Sequence, residues 1–328
     1  MAPPLLRWTL SKVAIGEEEA QRLQQEEQAS RSFIKNIHRV LMPTRGGANV
    51  QLAAQLVGYL AQQNELEITA LYATSNIKPG LKQKTTAAIK DTAFEEAFSA
   101  IAETLQLPGK ETLQTKVETG NSKVEVILKE ASRGYDLIVM GASEQRTRDS
   151  LFNLLVDRVV QEAPCATLVV KSNLSDRQGN FRLIDVHPIR HILVPTVGSE
   201  YSKNAVEIAS TIAAQTGALV TLIHVINLPQ VGYALYDHQT LAPAREMAQQ
   251  IVEHQTEIGR LLGATVECKI LEGNSPEKTI LTFTRQEQVD LIVLGSSVRL
   301  ATGRVFFGHR VDAILNRANC PVAVISAT

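Results

Sequence analysis

The residues whose types and spacing suit chemistry gather in one segment near the carboxyl terminus, Gly295-Ser296-Ser297, then Val298, Arg299, Gly303, Arg304 and Gly308-His309-Arg310. Glycine at 295, 303 and 308 lets backbone amides approach an anion closely, while Arg299, Arg304, Arg310 and His309 supply positive charge. That combination suits a phosphate chain. A plain glycine-containing connection with solvated arginines would look the same on spacing alone.

Little else has catalytic spacing. There is no GxSxG elbow, Walker A sequence or HExxH, and Gly80-Leu81-Lys82-Gln83-Lys84-Thr85 lacks the glycine spacing of a phosphate loop. His187 and His191 are separated by Pro188, which breaks the helix that would put them on one face for a metal. His224 reads as a satisfied core histidine, and His38, His238 and His254 have no acid or nucleophile at a recognisable spacing. Cys165, Cys268 and Cys320 form no CxxC or zinc pattern, and the odd number points to reduced thiols in a cytoplasmic protein.

The elements that position these residues occur twice. Val40-Leu41-Met42-Pro43-Thr44 recurs as Ile192-Leu193-Val194-Pro195-Thr196 at an offset of 152, and Gly120-Asn121-Ser122 as Gly273-Asn274-Ser275 at 153. Asp136-Leu137-Ile138-Val139-Met140-Gly141 recurs as Asp290-Leu291-Ile292-Val293-Leu294-Gly295 at 154, and the offset reaches 155 at Cys165 and Cys320. The copies therefore differ in length in the loop after Gly141 or Gly295. Within each, short continuous apolar runs alternate with helical periodicity, the pattern of buried parallel strands and crossover helices. The class is α/β with five strands per copy. In copy two the strands fall at Ile192–Pro195, Leu219–Ile226, Thr265–Leu271, Leu291–Gly295 and Val322–Ile325, with helices about 202–216, 242–262, from 276, and 310–317. The Gly-Asn-Ser blocks read as helix starts, with Ser122 and Glu125 as a capping box and Ser275 as N-cap ahead of Pro276. In such a sheet, ligands sit beyond the carboxyl ends of the strands. The turn Pro195-Thr196-Val197-Gly198-Ser199 then lies beside the segment from Gly295 to Arg310.

The 328 residues are 44% apolar and 20% charged with a net charge of −1, which suits globular domains and excludes a whole-protein field for nucleic acid or anionic membranes. No apolar run approaches the ~18 residues of a membrane span, and the amino terminus lacks a signal-peptide pattern. The expected organisation is an amino-terminal arm over 1–36, with a helix from Glu17 to about Phe33, domains over 37–171 and 189–328, and a polar linker over 172–188.

The twofold Pro-Thr strand end, Met42-Pro43-Thr44 and Val194-Pro195-Thr196, with Asp290-Leu291-Ile292-Val293-Leu294-Gly295-Ser296-Ser297, Gly308, and Cys320-Pro321-Val322 ahead of a final strand, resembles universal stress protein domains in tandem. The resemblance implies Rossmann-like domains docked through their fifth strands as an intrachain pseudo-dimer. ATP-binding members carry Gly, two residues, Gly, nine residues, Gly, then Ser or Thr after strand four. Here Gly295 and Gly308 fit, whereas Val298 replaces the second glycine, His309 replaces the hydroxyl residue, and Val197 replaces the family's aspartate. Copy one departs further, with Glu144, Asn153 and Leu154 at those positions, and is not expected to bind ATP in the family manner. Its Arg45-Gly46-Gly47 turn with Arg146 and Arg148 could still hold an anion.

By the same resemblance adenine would lie near Val225 and Ile226 against Thr196 and Val197, which assigns the nucleotide site to Pro195, Thr196, Val197, Val225, Gly295, Ser296, Val298, Arg299, Gly308, His309 and Arg310. The altered triphosphate motif makes AMP and c-di-AMP candidates beside ATP, with Mg2+ only if ATP binds. Ala2-Pro3-Pro4-Leu5-Leu6-Arg7-Trp8 and Gly16-Glu17-Glu18-Glu19-Ala20 resemble the cytoplasmic exit of the last membrane helix in cation:proton antiporters, with Trp8 at the interface and Arg7 and Lys12 on the cytoplasmic side. That implies a longer chain whose transmembrane domain is the partner. The leading expectation is a non-enzymatic nucleotide sensor at the cytoplasmic face of the membrane, with a homodimer possible and no nucleic-acid partner. The rivals are a free-standing protein with slow ATP hydrolysis, for which His309 would have to serve, and a structural dimerisation module that binds nothing.

Overall fold

Runs such as Val40-Leu41-Met42 and Ile292-Val293-Leu294 are apolar at every position and need cover on both faces, so they become inner strands of a parallel sheet. The computed structural model describes residues 32–75, 86–105, 113–142, 152–172, 188–228, 238–301 and 304–326. The first copy runs β1 (Arg39–Pro43), α1 (Ala48–Gln63), β2 (Glu67–Ser75), α2 (Thr86–Leu105), β3 (Leu113–Gly120), α3 (Lys123–Ala131), β4 (Leu137–Gly141), α4 (Leu154–Glu162) and β5 (Ala166–Lys171). The second runs β6 (His191–Pro195), α5 (Glu200–Thr216), β7 (Leu219–Asn227), α6 (His238–Leu261), β8 (Thr265–Gly273), α7 (Pro276–Gln286) and β9 (Leu291–Gly295). It then adds β10 (Arg299–Ala301) and β11 (Arg304–Phe306) before α8 (His309–Arg317) and β12 (Val322–Ser326).

Both copies have the α/β architecture read from the sequence, and they share one ten-stranded sheet in the order β3-β2-β1-β4-β5-β12-β9-β6-β7-β8. Within this sheet, pairing among the described residues is parallel inside each copy and antiparallel where β5 meets β12, from Val322 opposite Lys171 to Ser326 opposite Thr167. Every residue of β5 and β12 is buried. At that seam the Thr167 and Ser326 hydroxyls hydrogen-bond at 2.7 Å. The Lys171 ammonium, on a residue only 4% exposed, reaches Oδ1 of Asn316 on α8 at 3.4 Å. Phe152 and Phe307, each two residues ahead of its helix, α4 and α8, meet edge to face with ring centroids 5.9 Å apart.

Residues 1–36 form a separate compact unit, of which only the stretch from Ser32 is described, ending in a 3-10 turn over Ile34–Asn36. The Asn36 amide there donates to the Ser32 carbonyl at 2.8 Å. The antiporter-like segment and nearly all of the helix expected to Phe33 lie outside the described residues, as do Glu144, Arg146, Arg148, Gly303 and most of the linker.

Two local expectations need correction. The segment after Gly295 is not all loop: β10 and β11 pair antiparallel, with Leu300 opposite Val305. Burial of Val305 and Phe307, 6% and 5% exposed, drives this folding back. Ser275 makes no side-chain cap bond to α7, because its hydroxyl donates to the Glu277 carboxylate instead. Ser122, by contrast, accepts the Glu125 amide at 3.1 Å.

Phe307→Ala removes a buried ring and its partner contact, so we expect a loss of about 3–5 kcal/mol in urea unfolding. Combined with Phe152→Ala, the total should fall short of the sum by about 0.5–1.5 kcal/mol, the coupling of an aromatic pair.

Candidate functional site

The carboxyl ends of β6, β7 and β9 share one edge of the sheet, since Pro195 pairs with Ile223 and Leu193 with Ile292. That edge brings the β6 turn beside the β9 turn. Thr196 is held from several directions: its amide donates to the Ile223 carbonyl at 2.9 Å, its hydroxyl donates to Oε1 of Gln255, and its hydroxyl oxygen accepts the Gly198 amide at 3.2 Å. The Thr196 carbonyl meets Nδ1 of His224 at 2.9 Å, so that histidine is satisfied. The Thr196 side chain thus braces the turn, and Val197 beyond it is 64% exposed. Val225 and Val298 are partly buried and pack against the core.

Gly295 has a mechanical reason to be glycine that differs from the expected close approach to a phosphate. A Cβ there would lie 1.7 Å from the Tyr201 carbonyl oxygen, in the first turn of α5. Gly141 is the same device in the first copy, 2.4 Å from the Val50 amide nitrogen of α1. Ser296 is likewise occupied: its hydroxyl donates to the Phe307 carbonyl at 2.9 Å, tying the two ends of the β10–β11 excursion together.

Gly308 is different. It stands at the N-cap of α8 with φ 100°, a conformation that favours glycine, and a Cβ would meet nothing within 4 Å. It makes no side-chain cap bond, and α8 begins beside exposed His309 and Arg310. In the first copy Asn153 holds that position, and its Oδ1 accepts the Val156 amide at 2.9 Å. Of the assigned residues, the sheet edge and the Ser296–Phe307 bond bring Pro195, Thr196, Val225, Gly295, Ser296 and Gly308 together. Arg299 is placed by its backbone in β10 opposite Phe306.

Over the first copy a cavity of about 120 Å³ opens at the matching strand ends, where Pro43, Thr44, Arg45 and Asn153 occupy the positions of Pro195, Thr196, Val197 and Gly308. Lys123 and Gln255 escaped notice in the sequence. Lys123 follows a Gly-Asn-Ser block and looks like an ordinary first-turn residue, and Gln255 lies 59 residues from the threonine it holds. Among the described residues no three His, Cys, Asp or Glu side chains gather as metal ligands. No described helix is long and apolar enough to cross a membrane. Burial pushes the thiols of Cys165 and Cys320 up to about 11 and about 12, away from nucleophilic behaviour.

A model of the universal stress protein family matches residues 36–171 and 188–326, most of the chain. The chain belongs to that family. A universal stress protein of Methanocaldococcus jannaschii is 28% identical over 139 residues, 42% of this chain and 81% of that protein. A Na(+)/H(+) antiporter of Synechocystis, NhaS5, is 28% identical over 187 residues, 55% of this chain but only 23% of the antiporter. A solved universal stress protein from Archaeoglobus fulgidus shares the fold, with a TM-score of 0.54 at 20% identity, covering 87% of this chain and 97% of that one. One from Pseudomonas aeruginosa matches with a TM-score of 0.54 at 14% identity, over 90% and 95% of the two chains.

Two outcomes test this description of the universal stress protein edge. Gly295→Ala forces α5 off β9, and we expect a destabilisation of about 1–3 kcal/mol or more, read as a lower unfolding midpoint. In the first turn of α8, burial raises the Asp312 carboxyl to about 6, against a backbone hydrogen bond at Phe307 and the charges of His309 and Lys171. A folded-state value above the unfolded one favours folding in acid, and that contribution is lost as pH rises through about 6. Asp312→Asn should therefore raise the melting temperature above about pH 7 and lose that advantage below about pH 4.

Proposed function

We propose that this universal stress protein chain is an adenine-nucleotide-binding regulatory module whose site lies in the second copy, and that it controls an attached cation:proton antiporter. The observation that carries the ligand reading is Gly308: the first amides of α8 have no side-chain cap and stand beside Arg310 and His309, at the sheet edge where a parallel α/β fold receives ligands. Phosphate would sit against those amides, and the base between the exposed Val197 and the half-buried Val225. Val298 and His309, which replace a glycine and a hydroxyl of the ATP-binding pattern, favour AMP or c-di-AMP over ATP.

Regulation would act by population shift, because a ligand held between Thr196 and Gly308 favours the conformation in which the β9–α8 segment is ordered. The antiporter partnership is supported by the similarity to NhaS5 over 187 residues, more than either family match spans alone, and by the antiporter-like residues ahead of the first copy.

Calorimetric titration of nucleotide-stripped protein with ATP, ADP, AMP, cyclic AMP and c-di-AMP tests the ligand reading. We expect one ligand per chain at the second copy, abolished by Gly308→Asp, which sets a carboxylate against the phosphate and strains a backbone at φ 100°, and weakened at least tenfold by Arg310→Ala, which leaves that backbone unchanged. Unchanged affinity in either variant refutes the placement, and no heat with any nucleotide refutes the sensor. The antiporter reading fails if Gly308→Asp in the full-length protein leaves nucleotide-dependent ion exchange in vesicles unaltered.

A further inference from the structure

The first copy lost the glycine that opens the helix after β4, yet its cavity carries positive charge from another direction. Arg45, from the turn after β1, and Lys123, the first residue of α3, both line it. The other described lining residues include Pro43, Thr44, Met140 and Asn153, and among the described residues none is Asp or Glu. Neither cation forms an ion pair among the described residues. Burial and the nearby Arg45 charge hold the Lys123 ammonium below the usual lysine range. Two like charges thus border one half-enclosed space, with exposed Arg45 at its rim and half-buried Lys123 deeper, and an anion between them would be attracted by both.

The backbone adds to the same corner. Gly47, at φ 98°, begins α1 without a side-chain cap bond, and the Val50 and Gln51 amides donate to its carbonyl at 3.0 Å, so the positive end of that helix points into the same corner. The opposite wall is apolar, formed by Val50, Leu71, Ile127 and Val156. About 120 Å³ of space, open on one side, takes a ring-sized body.

We propose that this cavity is a second, independent site for a phosphate group, held by Arg45 and Lys123 from the β1 and α3 side and not by the segment after β4. The ligand class is a compact phosphate monoester whose apolar body enters the cavity while its phosphate bridges the two cations. The site does not rest on nucleotide binding in the second copy.

The test uses the whole chain carrying Gly308→Asp, so that the second copy's phosphate position is blocked. Inorganic phosphate and AMP serve as separate probes, and the Lys123 side-chain resonances report its titration. Both probes should shift the Lys123 midpoint upward toward the ordinary lysine value. Arg45→Ala and Lys123→Gln should each weaken phosphate binding at least tenfold, the loss of one charge-assisted contact, with the far-UV spectrum and melting temperature of the Gly308→Asp chain retained. Tighter binding of AMP than of phosphate would identify an esterified ligand, and equal affinity free phosphate. A Lys123 titration unmoved by either probe overturns the proposal, as does phosphate binding that survives both substitutions. Because Gly308 plays no part in this cavity, these results stand apart from those on the second copy.

Discussion

The antiparallel pairing of β5 with β12 is the constraint on which the rest of the structure depends. Each copy ends in a strand whose residues are all buried, Ala166–Lys171 and Val322–Ser326. Alone, either would be an exposed apolar sheet edge open to aggregation. Pairing them removes both edges and relates the copies by an approximate twofold axis. The segments that lead into α4 and α8 then meet, which is why equivalent residues, Phe152 and Phe307, touch each other. Ser296 holds the Phe307 carbonyl, so the wall of the second copy's site is one aromatic contact from the residue that precedes Asn153 in the first copy's cavity. A change of order in one loop has a packed route to the other.

Buried charge is managed differently in the body of the sheet and at its ligand-facing edge. Glu130, 2% exposed, accepts from Lys116 at 2.6 Å, from Arg133 at 2.7 Å and from the Tyr135 hydroxyl at 2.9 Å. That carboxylate is surrounded by donors and its acidity is strengthened. At the edge, by contrast, Oδ1 of Asp312 has no hydrogen-bond partner, and Lys123 faces Arg45. Unbalanced groups stand where a bound molecule could complete them, and the satisfied network lies elsewhere.

How much of this was legible in the sequence depended on whether the cause was local. Strands such as Leu291–Gly295 were readable because continuous apolar runs have one good solution in an α/β protein, and the internal repeat fixed their order. The hairpin over Arg299–Phe306 was not, because Gly303 and the arginines signal a loop, whereas the pull that folds it comes from burial of Val305 and Phe307 in the core. Gly295 carried the right residue for another reason, since the approach of the Tyr201 carbonyl is a tertiary fact. The hydroxyl of Ser275 turned to Glu277, two residues on, a competition between local partners that a capping pattern does not resolve. Arg45 was visible as a candidate, but its pairing with Lys123 across 78 positions appears only once β1 and α3 are placed.

The two copies also divide their open helix ends in opposite ways. After the first strand, copy one begins α1 at uncapped Gly47, whereas copy two begins α5 at Ser199, whose hydroxyl accepts the Ser202 amide at 3.2 Å. After the fourth strand the arrangement reverses: Asn153 caps α4, and Gly308 leaves α8 uncapped. Each copy thus caps one of its two ligand-facing helix ends with a side chain and opens the other on a glycine. A side-chain cap and a bound anion compete for the same amides, so a duplicated fold can change where it receives negative charge by moving a cap from one loop to the other. The cations follow the open ends, with Arg45 beside Gly47 and Arg310 beside Gly308. Charge and a glycine-opened helix start coincide in both copies at different corners, where the positive end of a helix and a cation would attract the same anion.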